Sequence, residues 1–427
     1  MKADQGLGPL QDGSRVVIIG GGPGGTACAL RLQCLAAEMG RNIQIILVES
    51  KQFSGEHHYN QCAGVLSIPL PDLLEHTLRV PFPFHLSRSF IKGYFLQTRR
   101  EEILLRGEEA DSIALRRVQF DAYMLQKVIE SGVQVVHARA TDLEFHKDKV
   151  IVYTENMSYG GDIVVGAFGL DEGSGTLFAR HTGYRPPNAL SSIVTKYHPG
   201  PEGMEAFGPY IHAFLPAHPK IEFGAITPKG NHLTINIAGR QVDSELLKAF
   251  LEMPKVKAAL PELDRAGTED PNDLSIFKGR FPCSEAKRYY GDRYVMVGDA
   301  AGLVRAFKGK GVTTAVQTGI RAAETIFSTG ISVRAFDEHY RKENQDIIRD
   351  LPYGRLMRML TISMARFGLL DPVIRAARNE KQLQVALYDA VSAHAPYQQV
   401  IAHTLHPHSV AAIIRAFLGA ETPDSFD

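Results

Sequence analysis

Residues 15–25 read Arg15-Val-Val-Ile-Ile-Gly-Gly-Gly-Pro-Gly-Gly25. The β-branched run before Gly20 predicts a short strand buried in a parallel sheet. Gly20, Gly22 and Gly25 fit the pattern G-x-G-x-x-G. The first glycine permits a tight turn, the second lets a pyrophosphate approach the backbone, and the third lets helix and strand pack closely. Thr26 to Met39 is rich in helix formers, and the free N–H groups at the start of that helix suit phosphates. A second apolar run, Ile43 to Val48, ends at Glu49, 24 residues after Gly25. A carboxylate there can accept hydrogen bonds from ribose hydroxyls. Strand, glycine turn, helix, second strand and terminal acid in this order predict a dinucleotide-binding βαβ unit.

Further along, Gly161 to Gly169 contains another buried-strand run ending in a glycine turn. Short strands are expected at Gln134–Val136 and Val150–Tyr153, and a helix at Leu246–Leu260. From Ser191 to Arg240 apolar positions alternate in short segments, which predicts an antiparallel sheet inserted into the nucleotide domain. Tyr294-Val-Met-Val-Gly298-Asp299-Ala300-Ala301-Gly302 is a second strand running into an acidic, small-residue turn. Gly309-Lys310-Gly311 and a helix from Val312 to Phe327 come next, and beyond Ile331 the pattern is mostly helical.

Composition narrows the function. The 427 residues carry 47 Lys+Arg against 47 Asp+Glu, so no general basic surface for nucleic acid is expected. Four cysteines with no Cys-x-x-Cys make neither a disulfide scaffold nor an iron–sulfur site. Cys28 and Cys34 fall on different faces of one helix, so no metal site is expected. A reducing, cytoplasmic setting is expected. No apolar run reaches the ~20 residues that span a bilayer, which leaves peripheral membrane contact open.

The pairing of the N-terminal glycine turn with the later Gly-Asp unit resembles the FAD-dependent oxidoreductases of the p-hydroxybenzoate hydroxylase fold. Within them the chain is most similar to the geranylgeranyl reductase branch. That resemblance implies an α/β protein. A Rossmann-like FAD-binding domain (1–70, 111–180, 276–330) would carry an inserted antiparallel-sheet substrate domain (71–110, 181–275), followed by a helical C-terminal region (331–427). It implies FAD contacts from Gly20, Gly22, Gly25, Glu49, Arg117, Gly298, Asp299, Gly309, Lys310, Gly311 and Val312. The family's usual Asp in the 162–169 segment is Phe168 here. Asn60 to Ser67, with Cys62, resembles the family's Cys-Gly-Gly-Gly segment beside the flavin. Tyr210 to Pro216 resembles its Tyr-x-Trp-x-Phe-x-Pro substrate motif, with His212 in place of Trp.

FAD carries out hydride transfer itself, so the protein is expected to position it and exclude water. Catalytic candidates are Cys62, Tyr210, His212 and His58, the last as a proton donor. Glu222, His232 and Arg240 are expected on nearby strands, faces unassigned. The leading expectation is reduction of carbon–carbon double bonds in an apolar, isoprenoid-like substrate. Alternatives are a monooxygenase of an aromatic or polyketide-like substrate and a quinone-linked electron-transfer flavoprotein. A halogenase is disfavoured, because its Trp-containing motif cannot exist in a Trp-free chain. One dinucleotide fingerprint leaves the electron donor open between NAD(P)H, bound transiently, and a ferredoxin protein.

Overall fold

The computed structural model describes residues 6–53, 62–107, 112–261, 275–304, 311–392 and 395–419. β1 (Arg15–Ile19), α1 (Pro23–Met39) and β2 (Gln44–Val48) form the expected βαβ opening. β1 lies between β2 and Ile163–Gly166, parallel to both. Tyr294–Met296 and Gln134–Val136 extend the sheet in parallel on its two sides, and Tyr290–Gly291 adds an antiparallel edge. Burial of both sheet faces explains the continuous apolar runs: Val16, Val17, Ile18, Ile163, Val164 and Val165 are fully buried.

One face of this sheet is covered by α1 and the helix Gly311–Ser328, which pack closely. Two glycines allow it. A Cβ on Gly319 would lie 2.3 Å from the carbonyl oxygen of Gly24. An antiparallel meander (Ala140–Phe145, Val150–Thr154, Ser158–Gly161) adds Leu143, Val150 and Val152 to the same core.

A second sheet has seven strands, in the order Ile276–Pro282, Ala189–Tyr197, Leu233–Gly239, Phe223–Pro228, Tyr210–Phe214, Gly93–Gln97, Glu102–Leu105. It is antiparallel except where Tyr210–Phe214 runs parallel to Gly93–Gln97. Ile276–Pro282, assigned to the nucleotide domain from sequence, is in fact this sheet's edge, paired residue by residue with Ala189–Thr195. Its alternating half-buried pattern reflects that position. One sheet face packs Ile193, Ile226, Ile235 and Ile237 against helices that carry Leu247, Phe250 and Val256. Those helices are two rather than the single one expected: Ser244–Leu251, capped by Asp243, and Pro254–Ala259. Pro254 cannot donate a helical hydrogen bond and its ring clashes with the preceding turn, so the run breaks there.

The other sheet face is roofed by C-terminal helices, among them Leu351–Arg366, Leu370–Ala377 and Lys381–Ser392. No helix among the described residues is long and apolar enough to cross a membrane.

Candidate functional site

A cavity of about 1060 Å³ runs from the glycine turn to the roofed face of the second sheet. Ligand pockets are commonly roughly 300–1,000 Å³, so this one suits a large or composite occupant. At its nucleotide end the glycine turn is built for close approach. Gly20 has φ +111, and a Cβ there would sit 2.4 Å from the Ala167 carbonyl oxygen. A Cβ on Gly25 would lie 1.9 Å from the Gly20 oxygen, so the third glycine seats α1 on β1. Gly22 differs: nothing lies within 4 Å of its missing Cβ, and the open space is the cavity itself. Pro23 starts α1 with φ preset for a helix, and the first helical N–H groups stay free of intrahelical partners. Glu49 accepts the Gly21 N–H on Oε2 (2.6 Å) and the Lys51 N–H on Oε1 (2.7 Å). Both bonds hold its carboxylate on the lip of the turn.

The facing wall carries Arg117, Gly298, Asp299, Gly311 and Val312. Gly298 turns with φ +59 and donates its N–H to Thr318 Oγ1 at 2.9 Å, tying the Gly-Asp turn to the helix Gly311–Ser328. That helix starts at the cavity with 18 residues behind it, so its partial positive end faces inward. Arg117 makes a fork to the Asp121 carboxylate through Nε (3.1 Å) and Nη2 (3.2 Å). Burial pushes the Asp299 carboxyl up to about 6, against the opposing pull of Arg117. Gly309, Lys310 and His58 lie outside the described residues.

Cys62 reaches the cavity, and its carbonyl oxygen accepts a 2.8 Å hydrogen bond from Lys229 Nζ. Lys229 is 5% exposed, and burial pushes its ammonium down to about 8. Sequence reasoning missed this lysine. Pro228-Lys-Gly-Asn reads as an exposed hairpin turn, and nothing local signals that the Cys62 segment covers it. Cys28 is buried within α1 with its thiol pushed up to about 12 by burial, so it is an inert core group.

Tyr210 and His212 are not cavity groups, which corrects their expected place. Alternate residues of a strand point to opposite sheet faces. Ile211 and Ala213 line the cavity together with Tyr94, Leu96 and Ala225. His212 therefore points the other way, between Phe95 and Phe207 (ring centroids 4.7 and 4.6 Å), and bonds Gln97 through Nδ1 at 2.9 Å. Burial holds its imidazole down to about 4, so it is neutral near pH 7. Tyr210 accepts a bond from Arg106 (3.1 Å), whose guanidinium also stacks over its ring. Of the three residues left without a face, Glu222 pairs with Arg358 on the roof helix (2.6 and 2.7 Å), His232 is buried, and Arg240 is exposed. The roof side of the cavity is apolar, with Met357, Leu370, Val373, Ile374, Leu387 and Val391. These residues stood in a region that sequence described only as helical.

No family model matches the chain. The digeranylgeranylglycerophospholipid reductase of Methanocaldococcus jannaschii is 25% identical over 360 residues, spanning 82% of this chain and 85% of the reductase. A geranylgeranyl bacteriochlorophyll reductase-like protein of Thermoplasma acidophilum superposes with a TM-score of 0.72 at 16% identity, covering 96% of this chain and all of that one. A flavin-dependent brominase superposes with a TM-score of 0.63 at 16% identity, covering 91% of this chain and 98% of its own. At such identities the superpositions speak to fold. In sequence and architecture the chain is similar to FAD-dependent oxidoreductases of the p-hydroxybenzoate hydroxylase fold, and within them to the geranylgeranyl reductases.

Proposed function

We propose that the protein reduces carbon–carbon double bonds in an apolar, isoprenoid-type substrate. The observation that carries this reading is the continuity of the cavity: a nucleotide cradle opens directly onto an apolar chamber between a sheet face and roof helices. The name of the M. jannaschii relative supports the same substrate class.

The residues fit FAD. Gly22 leaves the space that a pyrophosphate needs, with the start of α1 behind it. Glu49 would hold ribose hydroxyls and Asp299 the ribityl chain, with Arg117 alongside. The start of the helix Gly311–Ser328 offers N–H groups and positive dipole to negative charge developing nearby. When bound, FAD supplies the hydride. The chain's own part is to exclude water: Leu96, Ala213 and Ala225 form one apolar wall and the roof helices the other. Of the four catalytic candidates, Cys62 is the one whose described position reaches the cavity. Its thiol can give up a proton.

The test is anaerobic. Flavin-loaded protein, reduced chemically so that no natural donor is needed, is mixed with a geranylgeranyl lipid. Flavin reoxidation with gain of two hydrogens per double bond is expected by absorbance and mass spectrometry. Unchanged lipid, together with oxygen-dependent hydroxylation of an aromatic substrate, would move the assignment to the monooxygenase. Fast reoxidation by quinone alone would move it to electron transfer.

A further inference from the structure

The cavity face of the second sheet changes character toward one end. Residues paired directly across strands share a face, and so do alternate residues along a strand. One rung is apolar to neutral, with Val194 opposite Asn236 and Asn236 opposite Ala225. On the next rung Lys196 pairs with Thr234 and Thr234 with Thr227. Just beyond the strand ends, the His198 ring lies tilted against that of His232 (centroids 5.3 Å apart), and Lys229 donates its backbone N–H to the His232 carbonyl. Arg116, next in the chain to the cavity-lining Arg117, acts electrostatically on Lys196, Lys229 and His232.

Two features of this end demand a partner. It gathers Lys196, Lys229, Arg116, His198 and His232, and among the described residues none of the five is in an ion pair with a carboxylate. It also holds two buried polar atoms without a hydrogen-bond partner, Nε2 of His232 and Oγ1 of Thr234, in residues 1% and 2% exposed. Native folds seldom leave such atoms unsatisfied unless a water, ion or ligand completes them. Lysines without a carboxylate partner beside the unfilled Thr234 hydroxyl are a match for an oxyanion. Mutual repulsion acts in the same direction: burial first, then Arg116, depresses the Lys196 ammonium. The cluster adjoins the cavity at Thr227 and Cys62, so an occupant here could be continuous with the one in the apolar chamber.

We propose that the polar cluster beside this end of the cavity binds a terminal phosphate of a ligand, through Lys196, Lys229 and Thr234. Two ligands carry that chemistry, the head group of a phosphorylated polyprenyl substrate and the 2′-phosphate of NADPH. The proposal deepens the reading of the cavity as a flavin enzyme's substrate chamber, and its test is separable from that reading.

The probe is inorganic pyrophosphate, titrated calorimetrically into flavin-loaded protein so that the glycine turn is already filled. Saturable, salt-sensitive binding is expected in the wild type. Lys196→Gln should weaken it about tenfold, the usual scale for one charge-assisted bond. Thr234→Val should weaken it severalfold, and Lys149→Gln, an exposed lysine on the meander, should leave it unchanged. Displacement by geranylgeranyl diphosphate but not geranylgeraniol assigns the phosphate to the substrate. Displacement by NADPH but not NADH assigns it to the electron donor. No binding, binding indifferent to both Lys196→Gln and Thr234→Val, or displacement by neither phosphorylated ligand overturns the site. Intact pyrophosphate binding with no double-bond reduction would instead overturn the reductase assignment and leave the site standing.

Discussion

Asp299 shows how a single carboxylate sets a conflict between stability and binding. Its carboxyl is raised from an ordinary 3.8 to about 6 by burial, with Arg117 offsetting part of the rise. The folded protein thus holds this proton more tightly than the unfolded chain does. Its stabilising contribution is complete below about pH 4 and is lost as pH rises through 6. Flavin-free protein is expected to be less stable at pH 7 than at pH 5, by about 1 kcal/mol from this group. Asp299→Asn should flatten that dependence and stabilise the flavin-free form, while lowering flavin retention at least about tenfold. Urea denaturation at both pH values, with flavin absorbance after dialysis, checks both halves. At this scale the sequence was informative where the backbone itself imposes the choice. Gly20 and Gly25 sit where a Cβ would strike a carbonyl, and no other residue fits. Lys229 was illegible because its burial depends on the Cys62 segment, 167 positions away.

At the scale of an element, the strand Tyr210–Phe214 was recognisable but its facing was not. The motif names residues, while the face is set by register with Gly93–Gln97 and Phe223–Pro228. Ala213 aligns with Leu96 and Ala225, and that rung is the cavity wall. Two neighbouring substitutions should therefore behave oppositely. Ala213→Trp fills the chamber and should raise KM for an apolar substrate at least about tenfold with flavin content unchanged. His212→Phe should leave kcat and KM within about twofold and cost about 1–2 kcal/mol of stability, because Gln97 loses its partner. Steady-state kinetics beside thermal unfolding of the two variants decides it. If His212→Phe abolished turnover with normal stability, the strand's assigned facing would be wrong.

At the scale of the molecule, the roof is fastened to the second sheet by a half-buried ion pair. Arg358 on the helix Leu351–Arg366 forks onto Glu222, which is 6% exposed, in the segment leading into Phe223–Pro228. Removing one partner strands the other charge in the interior. Arg358→Met should destabilise the protein by about 3 kcal/mol and loosen the roof toward proteolysis. The double variant Glu222→Met with Arg358→Met should recover most of that loss, since paired apolar groups avoid the desolvation penalty. Chemical denaturation of the three proteins measures the cycle.

What the sequence determined by itself is the nucleotide half: a parallel core strand, a glycine turn, an acid at the next strand's end and a Gly-Asp turn. These are local and backbone-limited, so short motifs carry them. Tertiary structure alone decided that Ile276–Pro282 edges the second sheet, that Tyr210 and His212 turn away from the cavity, and that C-terminal helices close it. Each of those depends on pairing between distant segments. A one-residue shift in such pairing reverses a strand's faces, and no stretch of sequence read in isolation specifies it.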